Sequence, residues 1–128
     1  MLFDLEYNLD KGYVLTRAPQ LVLLADVFSN FDRIISDRSI QQRFFEIVDF
    51  SNTKELNFGY EEVRNLMPKI AELKRADYYQ GSLLIANSDY VRGMTNIYRV
   101  VGKSADINII QVASFDDALV IVDKHIAR

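Results

Sequence analysis

Gly81-Ser82-Leu83-Leu84-Ile85-Ala86-Asn87-Ser88-Asp89 decides the fold, because it opens a strand, helix, strand, helix series that runs to Ile126. Ser-Leu-Leu-Ile-Ala is a short apolar run of the kind that a strand buried on both faces needs. The switch to helix follows at once: Ser88 is suited to cap the orphan amides of the next turn, and Asp89 sets a carboxylate at their positive end. The pattern predicts a strand over residues 81–86, a helix over 89–103, a strand over 107–112 and a helix over 115–126. Ser114 caps the last helix, with Asp116 and Asp117 in its first turn. Strands alternating with helices through short loops predict an α/β domain.

Working towards the N-terminus, residues 3–7 and 13–18 carry β-prone side chains on either side of the turn cluster Asn8-Leu9-Asp10-Lys11-Gly12, which predicts an opening hairpin. Pro19 suits the first turn of a helix, and Leu23, Val27, Phe28, Phe31, Ile34 and Ile35 supply apolar positions at helical spacing through about Ser36. Residues 44–50 read as a further strand, followed by the polar loop Ser51-Asn52-Thr53-Lys54. From Tyr60 to about Ala76, Val63, Leu66, Met67, Ile70 and Leu73 recur at intervals of three and four, which predicts an amphipathic helix. Pro68 lies inside it and removes an internal hydrogen bond, so the helix should kink or divide there unless its true start lies later. Together these units predict one domain over residues 1–128, a mixed five-stranded sheet with about four helices packed against it.

The composition narrows the function classes. With 128 residues, 49% of them apolar, the chain can build a core without metal or disulfide staples. Cysteine is absent, which excludes thiol chemistry, disulfides and thiolate metal sites. Asp4 and Glu6 stand where a signal peptide wants a basic start and an apolar core, and no apolar run approaches the roughly 20 residues of a membrane span. The expectation is a cytoplasmic protein with no transmembrane segment. Fifteen basic and 18 acidic residues give a net charge of -3, so the broad positive balance of a nucleic-acid binder is missing and no such partner is expected. Seven Tyr and eight Phe without Trp read as filling for the core and its margins.

Candidate chemistry is sparse. His125 is the only histidine, and its place in the last turn of the last helix suits a charge interaction with that helix end. Ser88-Asp89 lacks the Gly-x-Ser-x-Gly elbow, and a capping serine has its oxygen engaged by backbone amides. Asp49 lies near the end of a parallel strand, where ligand crevices occur in open sheets, and could pair with Asp89 at one rim or simply cap a loop amide. Gly81, Gly93 and Gly102 are isolated, so there is no phosphate-binding loop. The expectation is therefore no enzyme, no catalytic or metal-binding residue and no cofactor. Arg92 and Arg99, seven residues apart, share one face of the 89–103 helix, while Met94, Ile97 and Val101 line the other. The arginines read either as contacts for an acidic partner or as solvated charge.

The chain resembles the SpoIIAA-like (STAS-like) fold, and more closely a branch of small bacterial proteins in that superfamily. The resemblance spans nearly the whole chain and rests most on Ile85-Ala86-Asn87-Ser88-Asp89-Tyr90-Val91-Arg92-Gly93-Met94 with Tyr98, followed by Val112-Ala113-Ser114-Phe115-Asp116-Asp117-Ala118-Leu119. Anti-anti-sigma factors of the superfamily carry a phosphorylatable serine in an Asp-Ser-Ser-Gly-like element. The matching region here is Leu56-Asn57-Phe58-Gly59, where Gly59 keeps the turn but Asn57 or Phe58 takes the serine's place. Ser51 and Thr53 in the same loop are the candidate phosphorylation sites.

Two functions follow as expectations. The resemblance implies a non-catalytic regulatory or protein-interaction module, with Ser51, Thr53, Asn57, Gly59, Asp89, Arg92 and Arg99 as its interaction residues. Its partner would be another protein or a second copy in a homodimer. The alternative is a small apolar or anionic ligand, a lipid or nucleotide, held between helices and sheet, which the aromatic density at Tyr78-Tyr79-Gln80-Gly81 favours.

Overall fold

The computed structural model describes residues 3–73 and 78–126. Its elements are β1 (Asp4–Asn8), β2 (Tyr13–Arg17), β3 (Leu21–Leu23), α1 (Leu24–Ile35), β4 (Phe44–Asp49), β5 (Glu55–Asn57), α2 (Tyr60–Leu73), β6 (Tyr79–Ile85), α3 (Asp89–Ser104), β7 (Ile109–Val112) and α4 (Phe115–His125). Five strands form one mixed sheet in the order β1-β2-β4-β6-β7. The opening hairpin pairs β1 antiparallel to β2, with Asp4 opposite Arg17 and Asn8 opposite Tyr13, and the remaining neighbours run parallel. This is the expected α/β architecture, a mixed five-stranded sheet with four helices packed against it.

The period-2 alternation of the central strands divides the apolar residues between two cores. Val14, Phe44, Val48 and Leu84 face α1, α2 and α3, which contribute Phe31, Ile34, Val63, Met67, Val91 and Tyr98. Leu15, Phe45, Ile47, Leu83 and Ile85 face α4, which covers them with Ala118 and Val122. Burial on both sides explains why β4 and β6 read as near-continuous apolar runs. Ser88 and Ser114 cap α3 and α4 as expected, accepting from the amides of Val91 and Asp117 at 3.2 Å.

A second, two-stranded sheet departs from the sequence reading. Leu21-Val22-Leu23, expected as helix after Pro19, instead pairs in parallel with Glu55-Leu56-Asn57 from the segment expected as a loop. The Thr53 hydroxyl donates to the Pro19 carbonyl at 2.9 Å, and the amides of Lys54 and Glu55 both donate to the Gln20 carbonyl. Val22 and Leu56 are buried by this pairing, so contact between segments distant in sequence overrides the local helical spacing. In consequence α1 starts at Leu24, with no side-chain cap.

The other departures are smaller. β6 starts at Tyr79 and β7 at Ile109, two residues from the expected starts in each case. Pro68 does not divide α2, which starts at Tyr60 and continues past it. The proline sits on the exposed side while Val63, Met67 and Ile70 anchor the buried stripe. The Arg64 carbonyl that loses its partner amide therefore lies on the solvent side, where water can satisfy it. The expected end of this helix near Ala76 lies outside the described residues, as does the side chain of Leu73.

Candidate functional site

The site begins with a break in the alternation of β6. Phe44 pairs with Tyr79 and Phe45 with Gly81, so Gln80 is an extra residue and the ladder bulges. Gly81 has a φ of +147°, and a Cβ there would come within 2.7 Å of the Asn108 carbonyl oxygen, so the bulge requires glycine. The consequence is that Tyr79 and Ser82, three residues apart, point to the same face and hydrogen-bond through their hydroxyls at 2.6 Å.

Ser82 in turn donates to Glu46 Oε1 at 2.6 Å. Glu46 sits in the middle of β4 under α1–α3 and is only 6% exposed. From α1, buried Asn30 turns its amide nitrogen towards Thr16 Oγ1 at 3.2 Å and towards Glu46 Oε2 at 3.5 Å, the outer limit of a hydrogen bond. Arg33 holds Asn30 in that orientation by donating to its Oδ1 at 2.9 Å, and the same nitrogen donates to the Phe3 carbonyl at 2.6 Å. The hydrogen bonds to Glu46 thus come from neutral groups. Burial pushes its carboxyl up from 4.5 to about 7, against the opposing pull of the bonds from Ser82 and Asn30. Tyr79 and Tyr98 are also pushed up, first by burial and then by the charge of Glu46.

Beside Glu46 lies a cavity of about 50 Å³, walled by Phe31, Phe50, Tyr79, Tyr98, Met67 and Ile107 among others. Phe31 meets Tyr79 edge-to-face at 5.3 Å between ring centroids, and Phe58 leans on Tyr98 at 5.1 Å, which fixes both tyrosine rings in the wall. The Tyr98 hydroxyl is buried and has no hydrogen-bond partner among the described residues. A buried hydroxyl without a partner is costly, and this one lies in a wall that also holds a carboxyl.

The residues expected to carry protein interaction or phosphorylation lie elsewhere, none of them lining this cavity, whereas Tyr79, from the aromatic stretch expected to favour a ligand, does line it. Ser51 is exposed, and its amide and hydroxyl both donate to Asp49 Oδ1, so Asp49 caps its own loop. Thr53 is buried, with its hydroxyl committed to Pro19. That hydroxyl, expected as a candidate phosphorylation site, is thus buried and hydrogen-bonded. Asn57 closes β5, and the Gly59 amide donates to Glu62 Oε1 at 3.1 Å at the start of α2. Asp89 pairs with Arg92, while Arg99 donates to Asn96 at 2.9 Å one turn along each time. One bond brings the loop and the helix together: the Leu56 amide donates to the Tyr90 hydroxyl at 3.0 Å. His125 lies in the last turn of α4, on the Ile121 carbonyl and against the ring of Phe45.

The strand order rises without reversal across the parallel part of the sheet, so it has no topological switch point, although an open hollow lies at the carboxyl ends of β2 and β4, lined by Arg17, Pro19, Gln20 and residues 51–54. Among the described residues no three of His, Asp and Glu converge as a metal site, and no helix is long and apolar enough to cross a membrane. Sequence reasoning passed over Glu46, Asn30, Ser82 and Tyr98. One signal was present, an acid in the middle of Phe44-Phe45-Glu46-Ile47-Val48, since a strand buried on both faces has no solvent side for a charge. No family model matches the chain, and no curated protein or solved structure matches it significantly.

Proposed function

We propose that the protein is a non-catalytic module that binds a small ligand in the Glu46 cavity. The observation carrying this reading is two polar groups in the wall of a largely apolar cavity: the Glu46 carboxyl, which among the described residues meets only neutral donors, and the Tyr98 hydroxyl, which has no partner among them. Small-molecule sites have this composition, apolar walls with a few polar groups that fix orientation. A volume of about 50 Å³ suits a ligand of a few heavy atoms and is too small for a lipid chain or a nucleotide. Binding is favoured over turnover because the carboxyl's titratable neighbours are two tyrosines that burial drives further from ionisation. The test is a fragment titration of isotope-labelled protein: binding should move the ring resonances of Tyr98, Tyr79 and Phe31 and leave Ser51 and Arg99 unmoved. Shifts confined to the surface would overturn the reading.

A regulatory protein-interaction role is the second reading, favoured by the Leu56–Tyr90 bond that clasps the 51–59 segment to the first turn of α3. Changing Arg92 and Arg99 together to Glu should then abolish capture of a protein partner while leaving the cavity resonances in place. Retention of the same partner at the same strength would refute it.

A further inference from the structure

The geometry points to an ammonium-type cation of three or four heavy atoms as the ligand of this cavity, its N–H groups donating to Glu46 and Tyr98. The inference rests on the binding role just proposed and adds the charge and size of the ligand.

Charge comes first. An ionised carboxylate can accept about four hydrogen bonds. Among the described residues Glu46 receives one good bond, from Ser82 at 2.6 Å, and one marginal bond, from Asn30 at 3.5 Å. Acceptor capacity is left over, and none of the described residues lining the cavity carries a positive charge. The nearest cation in the network, Arg33, stops one residue short: it donates to the far side of Asn30 and to the Phe3 carbonyl. From the other elements packed here, β6 presents Tyr79 and α3 presents Tyr98, while α2 presents apolar Met67 and Ile70. Once ionised, a buried carboxylate needs a counter-charge, and none of the described residues lining the cavity supplies one. A guest ammonium provides it, whereas an anion would meet the carboxylate directly.

The walls and the free hydroxyl agree with that choice. Phe31, Phe50, Tyr79 and Tyr98 put aromatic rings in the wall, and the negative quadrupole of a ring face attracts a desolvated cation. The Tyr98 hydroxyl can turn its hydrogen aside and accept from a second N–H of the guest, which satisfies the one hydroxyl in the wall that lacks a partner. Size follows from volume: at roughly 10–15 Å³ for each water-sized occupant, about 50 Å³ holds three or four heavy atoms.

The experiment compares ethylammonium, ethanol and acetate, three small probes of different charge, by NMR titration at constant ionic strength. Even at the ceiling for very small ligands, three heavy atoms reach roughly 0.5 mM at best. Ethylammonium should shift the Tyr98 and Phe31 ring resonances, bind at least tenfold more tightly at pH 8 than at pH 5.5, and lose its cavity shifts in Glu46→Gln. Tyr98→Phe, which keeps the ring and removes only the hydroxyl, should weaken binding several-fold and serves if Glu46→Gln does not fold. Ethanol binding in the cavity without ethylammonium would overturn the cation and preserve the ligand site. The same holds for acetate. Ethylammonium shifts that survive in Glu46→Gln and fall on exposed carboxylates would also overturn the cation. No cavity shift with any probe would overturn both the cation and the binding role.

Discussion

Glu46 shows how one residue can make stability depend on pH. Its carboxyl is pushed from 4.5 to about 7 because burial favours the neutral acid. The folded state therefore holds the proton more tightly than the unfolded chain. The stability this contributes is complete below about pH 4.5 and is lost as the pH rises through about 7. Glu46→Gln keeps the shape and removes the titration. Relative to the wild type, the variant should be near neutral at pH 4.5 and more stable at pH 8 by on the order of 3 kcal/mol. Urea unfolding of both proteins across this range measures the difference, and a difference that stays flat with pH would refute the burial account. The acid was visible in the strand sequence, but its environment was not. Asn30, Ser82 and Tyr98 come from α1, β6 and α3, and nothing in their local sequence says that they meet.

At the scale of elements, two short features have separable effects. The Ser88 side chain caps α3 by accepting from the Val91 amide, so Ser88→Ala should cost about 1 kcal/mol without disturbing the core. An unchanged unfolding midpoint and slope would count against the cap. Gly81→Ala forces a side chain into positive φ and against the Asn108 carbonyl, a backbone atom with little room to give. It should destabilise by about 1–3 kcal/mol and, because the bulge aligns Tyr79 with Ser82, also move the Tyr79 ring resonances. The cap was legible because a helix start is a local event, with Ser88 and Val91 three residues apart. The bulge was not, because it is defined by the partner strand: Gly81 read as the start of β6, whereas the pairing with Phe44 extends the strand back to Tyr79.

For the molecule as a whole, the central strands carry both cores while β3 and β5 carry one edge of a single core. Native-state hydrogen exchange should therefore find the interior amides of β4 and β6 opening only with global unfolding. Amides of the three-residue β3–β5 pair should exchange through a smaller, local opening. Equal protection in the two sheets would contradict this ordering. The sequence alone determined the α/β class, the five main strands and the four helices, because each follows from periodicity and caps acting over a few residues. Only the tertiary structure decided that Leu21-Val22-Leu23 is strand, that α2 continues through Pro68, and that a carboxyl, an amide and two tyrosine hydroxyls surround one cavity. Those outcomes depend on segments separated by tens of residues, where pairing and burial outweigh local propensity.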